Sequence, residues 1–213
     1  KPILGLVDID GSTENNKVKT PGRVGPGAVF RCPEAAAAEG EDKLYRTVSW
    51  IPGGEWSQRY LPIFSADGLT WNTAENADKE PGVSGKGVGD TGTFLVADED
   101  LPPRRAEIPG RYVAFPRVHV QVARWGRRAV GMTFCNTTHQ RARIMLDWPQ
   151  PVLVLAPDLV DDEMARERIG RAHAQGILQF SDPADHHCEF YTMQPWAAGG
   201  GWLGAVYVFD VSM

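Results

Sequence analysis

Two carboxylates stand in contrasting surroundings, which is what acid–base chemistry requires. Glu189 lies between Cys188 and Phe190, an apolar setting in which desolvation favours the protonated acid. Asp90 lies in a run of glycine and threonine whose backbone N–H groups favour the ionised form. Two carboxyl groups whose pKa values differ suit general acid and general base roles. The competing interpretations are an edge-strand glutamate and a turn-forming aspartate.

Basic side chains accompany these carboxylates. His187, with its neighbour His186, is predicted to bind a metal, to orient Glu189, or to form a histidine pair in a loop. No second group of ligands stands at zinc spacing, so we expect no metal. Arg117 follows a predicted strand and is expected either to donate to ligand oxygens or to be a surface charge.

Two tryptophans are predicted to lie in loops, where an aromatic ring can stack on a sugar. Trp56 and Trp196 stand beside glycine or proline, whereas Trp202 is expected in the core. The remaining charged groups are interpreted as solvated. These are the pair Arg127-Arg128 and the acidic pair Asp161-Asp162, which lacks EF-hand spacing for calcium.

Composition excludes several classes of function. The chain has 213 residues and a net charge of −5, with 22 basic and 27 acidic residues, so no basic field predicts nucleic-acid binding. No apolar run approaches the ~18 residues of a transmembrane helix, so we expect no membrane partner. Three scattered cysteines form neither a disulfide framework nor a zinc pattern, and no cofactor is expected.

Short strands bounded by turn residues dominate the chain. Each is rich in β-branched or aromatic residues. The predicted strands are 28–31, 43–51, 59–64, 93–97, 111–115, 118–123, 129–135, 152–155, 189–193 and 202–209. Segment 159–174 fits a short helix or a long surface loop. This pattern predicts an all-β sandwich or propeller.

A hairpin is the most specific local signal. Asp67-Gly68 is a strong turn pair, the preceding run 59–64 carries Pro62, and Trp71 opens the returning strand. Pro62 predicts an edge or bulge position because proline cannot donate to a ladder.

A weak internal repeat favours a propeller over a sandwich. Polar starts recur at 14–18, 89–94 and 187–191, and the first two are followed by a Tyr-bearing strand, a polar turn and an exit tryptophan. Four-stranded blades produce this order. The chain is therefore predicted to form a single partial β-propeller domain over 1–213, with blade-like units at about 12–75, 86–156 and 185–213.

The order of these landmarks resembles one known group, the five-bladed β-propeller glycoside hydrolases that include fructosidases and arabinan- and xylan-trimming enzymes. The landmarks run over most of the chain. They are 1–6, Gly11-Ser12, Asn15-Asn16, the Asp67-to-Trp71 hairpin, 89–94, 110–113, 127–131 and 202–204.

The resemblance implies a sugar site at one mouth of a central channel, lined by the innermost strand of each blade. Asp90 matches the supporting aspartate, Glu189 the general acid, and Asn16 the corresponding place in the first visible blade. Arg117, His187 and the two loop tryptophans are expected to be secondary contacts. The implied partner is an oligo- or polysaccharide of plant or microbial origin.

The departure from the family is a missing blade. Lys1-Pro2 resembles the end of a blade, so the one that would carry the first aspartate is expected to be absent. A complete ring needs roughly 300 residues. The chain is then a fragment, a shortened propeller, or one completed by another copy in a homo-oligomer. The alternatives are a non-catalytic carbohydrate-binding or structural propeller and a lectin-type β-sandwich.

Overall fold

The computed structural model describes a mostly β protein built from antiparallel sheets, which confirms the predicted all-β class. The described residues are 4–21, 29–33, 36–37, 40–52, 58–73, 83–84, 88–96, 112–122, 125–135, 148–178, 186–198 and 201–212. Within them, the sheets do not close into a ring. In the same part of the chain, no helix is long and apolar enough to cross a bilayer.

The first sheet has the order β1-β2-β3-β4, with β5 pairing on β3. Its strands are β1 (Phe30–Arg31), β2 (Tyr45–Pro52), β3 (Gln58–Ser65), β4 (Asn72–Thr73) and β5 (Val83–Ser84). On the outer side of β3, β5 pairs with Arg59 and Tyr60, and β4 pairs with Ile63 and Phe64. Pro62 falls between these two short partners, at the interruption that a residue without an N–H tolerates.

The predicted Asp67-Gly68 turn is present and is fixed by side-chain hydrogen bonds. Gly68 has a φ of +78°. Asp67 Oδ1 accepts from the N–H groups of Leu69 and Thr70, which, with the Ser65 hydroxyl, hold the pKa of Asp67 below its ordinary value. Trp71 donates from Nε1 to the carbonyl of Gly68 and is buried.

The left-handed backbone at this turn gives a testable prediction. Gly68→Ala is expected to lower the free energy of unfolding by about 1 kcal/mol, because a Cβ is strained at positive φ. Gly170→Ala is the matched control, since its Cβ meets nothing within 4 Å in a helix, and it is expected to stabilise by ~0.5–1 kcal/mol. Urea unfolding measures both changes in the free energy of unfolding. Changes of the same sign would contradict a strained, left-handed backbone at Gly68.

The second and third sheets carry the predicted carboxylates. The second has the order β6-β7-β8-β9 and the third pairs β10 with β11. Their strands are β6 (Val88–Val96), β7 (Tyr112–Val122), β8 (Trp125–Cys135), β9 (Val152–Leu155), β10 (His187–Ala198) and β11 (Gly201–Val211).

The second sheet lies between the other two, and alternate residues of β7 are therefore buried on its opposite faces. Tyr112 and Ala114 pack in one core cluster with Val48 of the first sheet. Val113 and Phe115 pack in the other core cluster, which includes β10 residues. This stacking brings the start of β10 against β8.

Helix α1 (Leu159–Ala174) settles the choice between helix and loop at this segment. Asp158 caps it by accepting from the N–H groups of Val160 and Asp161, and the Asp161 side chain accepts from the N–H of Asp158 in return. Ala165 and Ile169 are buried, and Ala165 joins the core cluster around β10. The helix therefore packs beside the strand that bears Glu189.

Candidate functional site

Glu189 lies in a buried ion pair. Its side chain is on β10 and the residue is 6% exposed. Arg128 on β8 donates from Nη1 to Glu189 Oε2, and the Arg128 side chain keeps 32% of its surface exposed. The surroundings of Glu189, predicted from its sequence neighbours to be apolar, therefore also contain a cation.

Two guanidinium groups lie close to aromatic rings beside the Arg128–Glu189 ion pair. Arg128 Cζ lies 5.4 Å from the Tyr191 ring centroid and 5.7 Å from that of Phe209. Arg117 Cζ lies 5.2 Å from the same Tyr191 ring. Such distances are those of cation–π contacts. We call the five residues Arg117, Arg128, Glu189, Tyr191 and Phe209 the Arg–Tyr cluster.

Two members of this cluster lie at irregularities in the pairing of β-strands. Tyr191 lies where the β10–β11 register shifts, between Phe190 and Thr192. On β6, the register shifts between Val88 and Gly92, so residues 89–91 stand opposite Arg117 alone. Bulges re-aim side chains and are frequent beside functional sites.

Asp90 belongs to that irregular stretch of β6. Its neighbour Gly89 is in close contact with Arg117, because a Cβ built on Gly89 would lie 2.8 Å from Arg117 Cζ. The backbone of Asp90 therefore passes beside the Arg–Tyr cluster. Its side chain is outside the described part of the structure.

A histidine pair begins β10. His187 Nε2 lies 3.7 Å from Glu189 Oε1, and both residues are buried. His186 is also buried, at 2% exposure, and neither of its ring nitrogens has a hydrogen-bond partner among the residues that the structure describes. Among the described residues, no group of three His, Cys, Asp or Glu side chains could hold a metal ion.

Cys188 stands next to Glu189 and is buried. Burial, followed by the negative charge of Asp161, raises the pKa of its thiol to about 12. The thiolate is the reactive form of cysteine, so at neutral pH this side chain acts as a buried apolar group.

Asp162 of α1 contacts both strands that carry the Arg128–Glu189 pair. Arg127 donates to it through both Nη1 and Nη2, at 2.5 and 2.8 Å, and the Cys188 N–H donates to Oδ1 at 2.9 Å. Burial alone would raise the pKa of Asp162, but these hydrogen bonds and the Arg127 charge hold it below its ordinary value.

Five of the seven sequence-predicted site residues fall into three groups. Glu189, His187 and Arg117 are brought together through the Arg–Tyr cluster. Trp196 lies half-exposed further along β10, opposite Leu203. Asn16 is exposed in a segment outside the strands, which pairs with the Asp67 hairpin through Lys19.

Trp56 lies outside the described residues, so its predicted stacking role stays a prediction.

Two interpretations of charged residues were wrong. Arg127 and Asp162 were expected to be solvated, yet each is 2% exposed. They are buried because each satisfies the other in a bidentate pair across 35 positions of sequence. Arg128, Tyr191 and Phe209 were not predicted as site residues, because nothing in their local sequence distinguishes them.

Comparison with protein-family models, curated proteins and solved structures gives no match to this chain.

Proposed function

We propose that this protein binds a glycan at the Arg–Tyr cluster. The observation that carries the proposal is the placement of two guanidinium groups on one aromatic ring, 5.2 and 5.4 Å from its centroid, beside the carboxylate of Glu189. Sugar recognition needs flat apolar faces for ring C–H groups together with fixed charged groups that bond hydroxyls.

The accessible side of the cluster suits such a ligand. Phe209 is 49% exposed, Tyr191 is partly exposed, and Arg128 presents donors that Glu189 does not use. Buried neighbours hold these groups in place, since Glu189 anchors Arg128. A ligand hydroxyl would therefore meet a preorganised guanidinium, which reduces the ordering cost of binding.

A propeller arrangement is part of the proposal. Asp90 and Glu189 each lie on the first strand of their sheet, β6 and β10, and consecutive sheets stack face to face. Blades around a channel give this relation, with the first strand of each blade innermost.

Glycoside hydrolysis is the second candidate, because the irregular stretch of β6 brings the backbone of Asp90 to the cluster that holds Glu189. Binding is favoured over hydrolysis by the position of Glu189. A general acid must reach the glycosidic oxygen, whereas Glu189 is 6% exposed and its Oε2 already accepts from Arg128.

The test is calorimetric titration of the protein with a panel of plant and microbial oligosaccharides. Arg128→Gln is expected to weaken binding about tenfold, because it removes a cation–π contact and a charged donor. Arg171→Gln removes the same charge from an exposed helix position and is expected to leave affinity unchanged. No binding by the wild type, or equal losses in both variants, would contradict the proposal.

The same panel in aryl-glycoside form separates binding from hydrolysis. Binding without turnover is the expected result. Turnover by the wild type that Glu189→Gln abolishes would assign the acid role to Glu189 and make the second candidate correct.

A further inference from the structure

We infer that Asp162 is a positioning residue that sets the geometry of the Arg–Tyr cluster, an inference that rests on the proposed glycan site. Asp162 is 2% exposed and belongs to α1, yet it contacts both strands that carry the ion pair of the site. It touches neither Arg128 nor Glu189 in any described contact, so its influence is exerted through their neighbours.

The contacts of Asp162 fall on the two adjacent residues in the chain. Arg127, next to Arg128, binds both of its carboxylate oxygens. Cys188, next to Glu189, donates its backbone N–H to Oδ1. One carboxylate thus ties the β8 and β10 segments together one residue away from the pair that the ligand would meet.

These contacts fix the relative orientation of the β8 and β10 segments as well as the distance between them. A bidentate guanidinium–carboxylate pair is planar and restricts both groups, and a backbone donor cannot move without moving its strand. Because β8 and β10 belong to different sheets, no backbone ladder between them sets their separation. Asp162 supplies that constraint with buried, charge-assisted hydrogen bonds.

A second ion pair of α1 provides a natural comparison. Arg168 donates to both carboxylate oxygens of Asp210 on β11, at 2.6 and 2.7 Å. This pair also holds the helix on the third sheet, but it does not reach β8. Loss of Asp210 would loosen α1 without releasing the β8–β10 constraint.

The experiment compares Asp162→Asn with Asp210→Asn in the full chain. The first readout is affinity for the glycan that the wild type binds, and the second is the ring resonance of His187, which lies 3.7 Å from Glu189 Oε1. Asp162→Asn is expected to weaken binding about tenfold and to shift the His187 resonance. Asp210→Asn is expected to give smaller changes in both readouts, because Asp210 is next to Phe209 of the cluster but its pair with Arg168 holds only α1 on β11. Urea unfolding records the stability that each variant loses.

The outcomes are separable. A folded Asp162→Asn variant with wild-type affinity and an unmoved His187 resonance overturns the inference, as does an equal response from Asp210→Asn. If Asp162→Asn does not fold, Arg127→Lys keeps the charge, removes the bidentate geometry and is expected to give the same shift. A wild type that binds no glycan refutes the proposed function alone, because the His187 resonance still reports on positioning.

Discussion

Arg127→Leu is expected to lower the free energy of unfolding by about 3–5 kcal/mol, because it breaks a buried ion pair. The guanidinium and the Asp162 carboxylate have side-chain exposures of 1% and 3%. Removing the cation leaves a buried carboxylate whose remaining described donor is the Cys188 N–H. Desolvation of that charge is then uncompensated, and urea unfolding at neutral pH measures the cost.

The double variant Arg127→Leu/Asp162→Leu tests the origin of that loss. Replacing both charges by apolar groups is expected to recover part of the stability, because no unpaired charge stays buried. Recovery is expected to fall short of the wild type by ~1–3 kcal/mol, since the Cys188 N–H loses its acceptor. A double variant less stable than Arg127→Leu would contradict this account.

The pH dependence of the same variant follows from the lowered pKa of Asp162. A carboxyl group whose folded pKa lies below its ordinary 3.8 stabilises the fold above that pH, and the stabilisation is lost as pH falls through the folded pKa. The stability difference between wild type and Arg127→Leu is therefore expected to be full at neutral pH. It should shrink as pH falls through the pKa of Asp162 in the variant, which burial raises once Arg127 is gone, and shrink further as pH falls through the lowered pKa in the wild type.

Local chemistry made some elements predictable from sequence. Segment 159–174 was predicted to be a short helix or a long surface loop, and the structure has the helix Leu159–Ala174, whose acidic start and capping residues act within one turn. The strand at Val152–Leu155 and the Asp67-Gly68 turn are likewise encoded by adjacent residues.

Long-range pairing explains the elements that were misjudged. Strands predicted separately at 111–115 and 118–123 form the single strand Tyr112–Val122, because Pro116 pairs with Gly92 beside the irregular stretch of β6. The start of β6 at Val88 was missed, since its glycines have low strand propensity and only pairing with β7 makes them extended.

The same distinction between local and long-range interactions applies to the candidate site. Glu189 stood out because its sequence neighbours are apolar. Arg127 and Arg128 did not, because a charged pair looks solvated until the partner is known, and their partners lie 35 and 61 positions away. Sequence therefore indicates which carboxylate has apolar neighbours, but the cation that pairs with it comes from another sheet.

Gly89→Ala is expected to lower the free energy of unfolding by about 2 kcal/mol and to weaken glycan binding about tenfold. The added methyl group would lie 2.8 Å from both Cζ and Nη2 of Arg117 and closer still to Nε. Arg117 is 8% exposed, so it has little room to withdraw. Its guanidinium must then leave the Tyr191 ring, which removes one of the two cations from the Arg–Tyr cluster.

Gly126→Ala is the matched control for that experiment. Gly126 is also a strand glycine, but its Cβ would meet only Gln121 Oε1 at 3.8 Å, an ordinary contact. It is expected to be neutral or to stabilise by up to ~1 kcal/mol, because alanine loses less backbone entropy than glycine. Urea unfolding and glycan titration on both variants decide the matter. If Gly89→Ala matches Gly126→Ala in stability and affinity, the close approach of Arg117 to β6 does not shape the site.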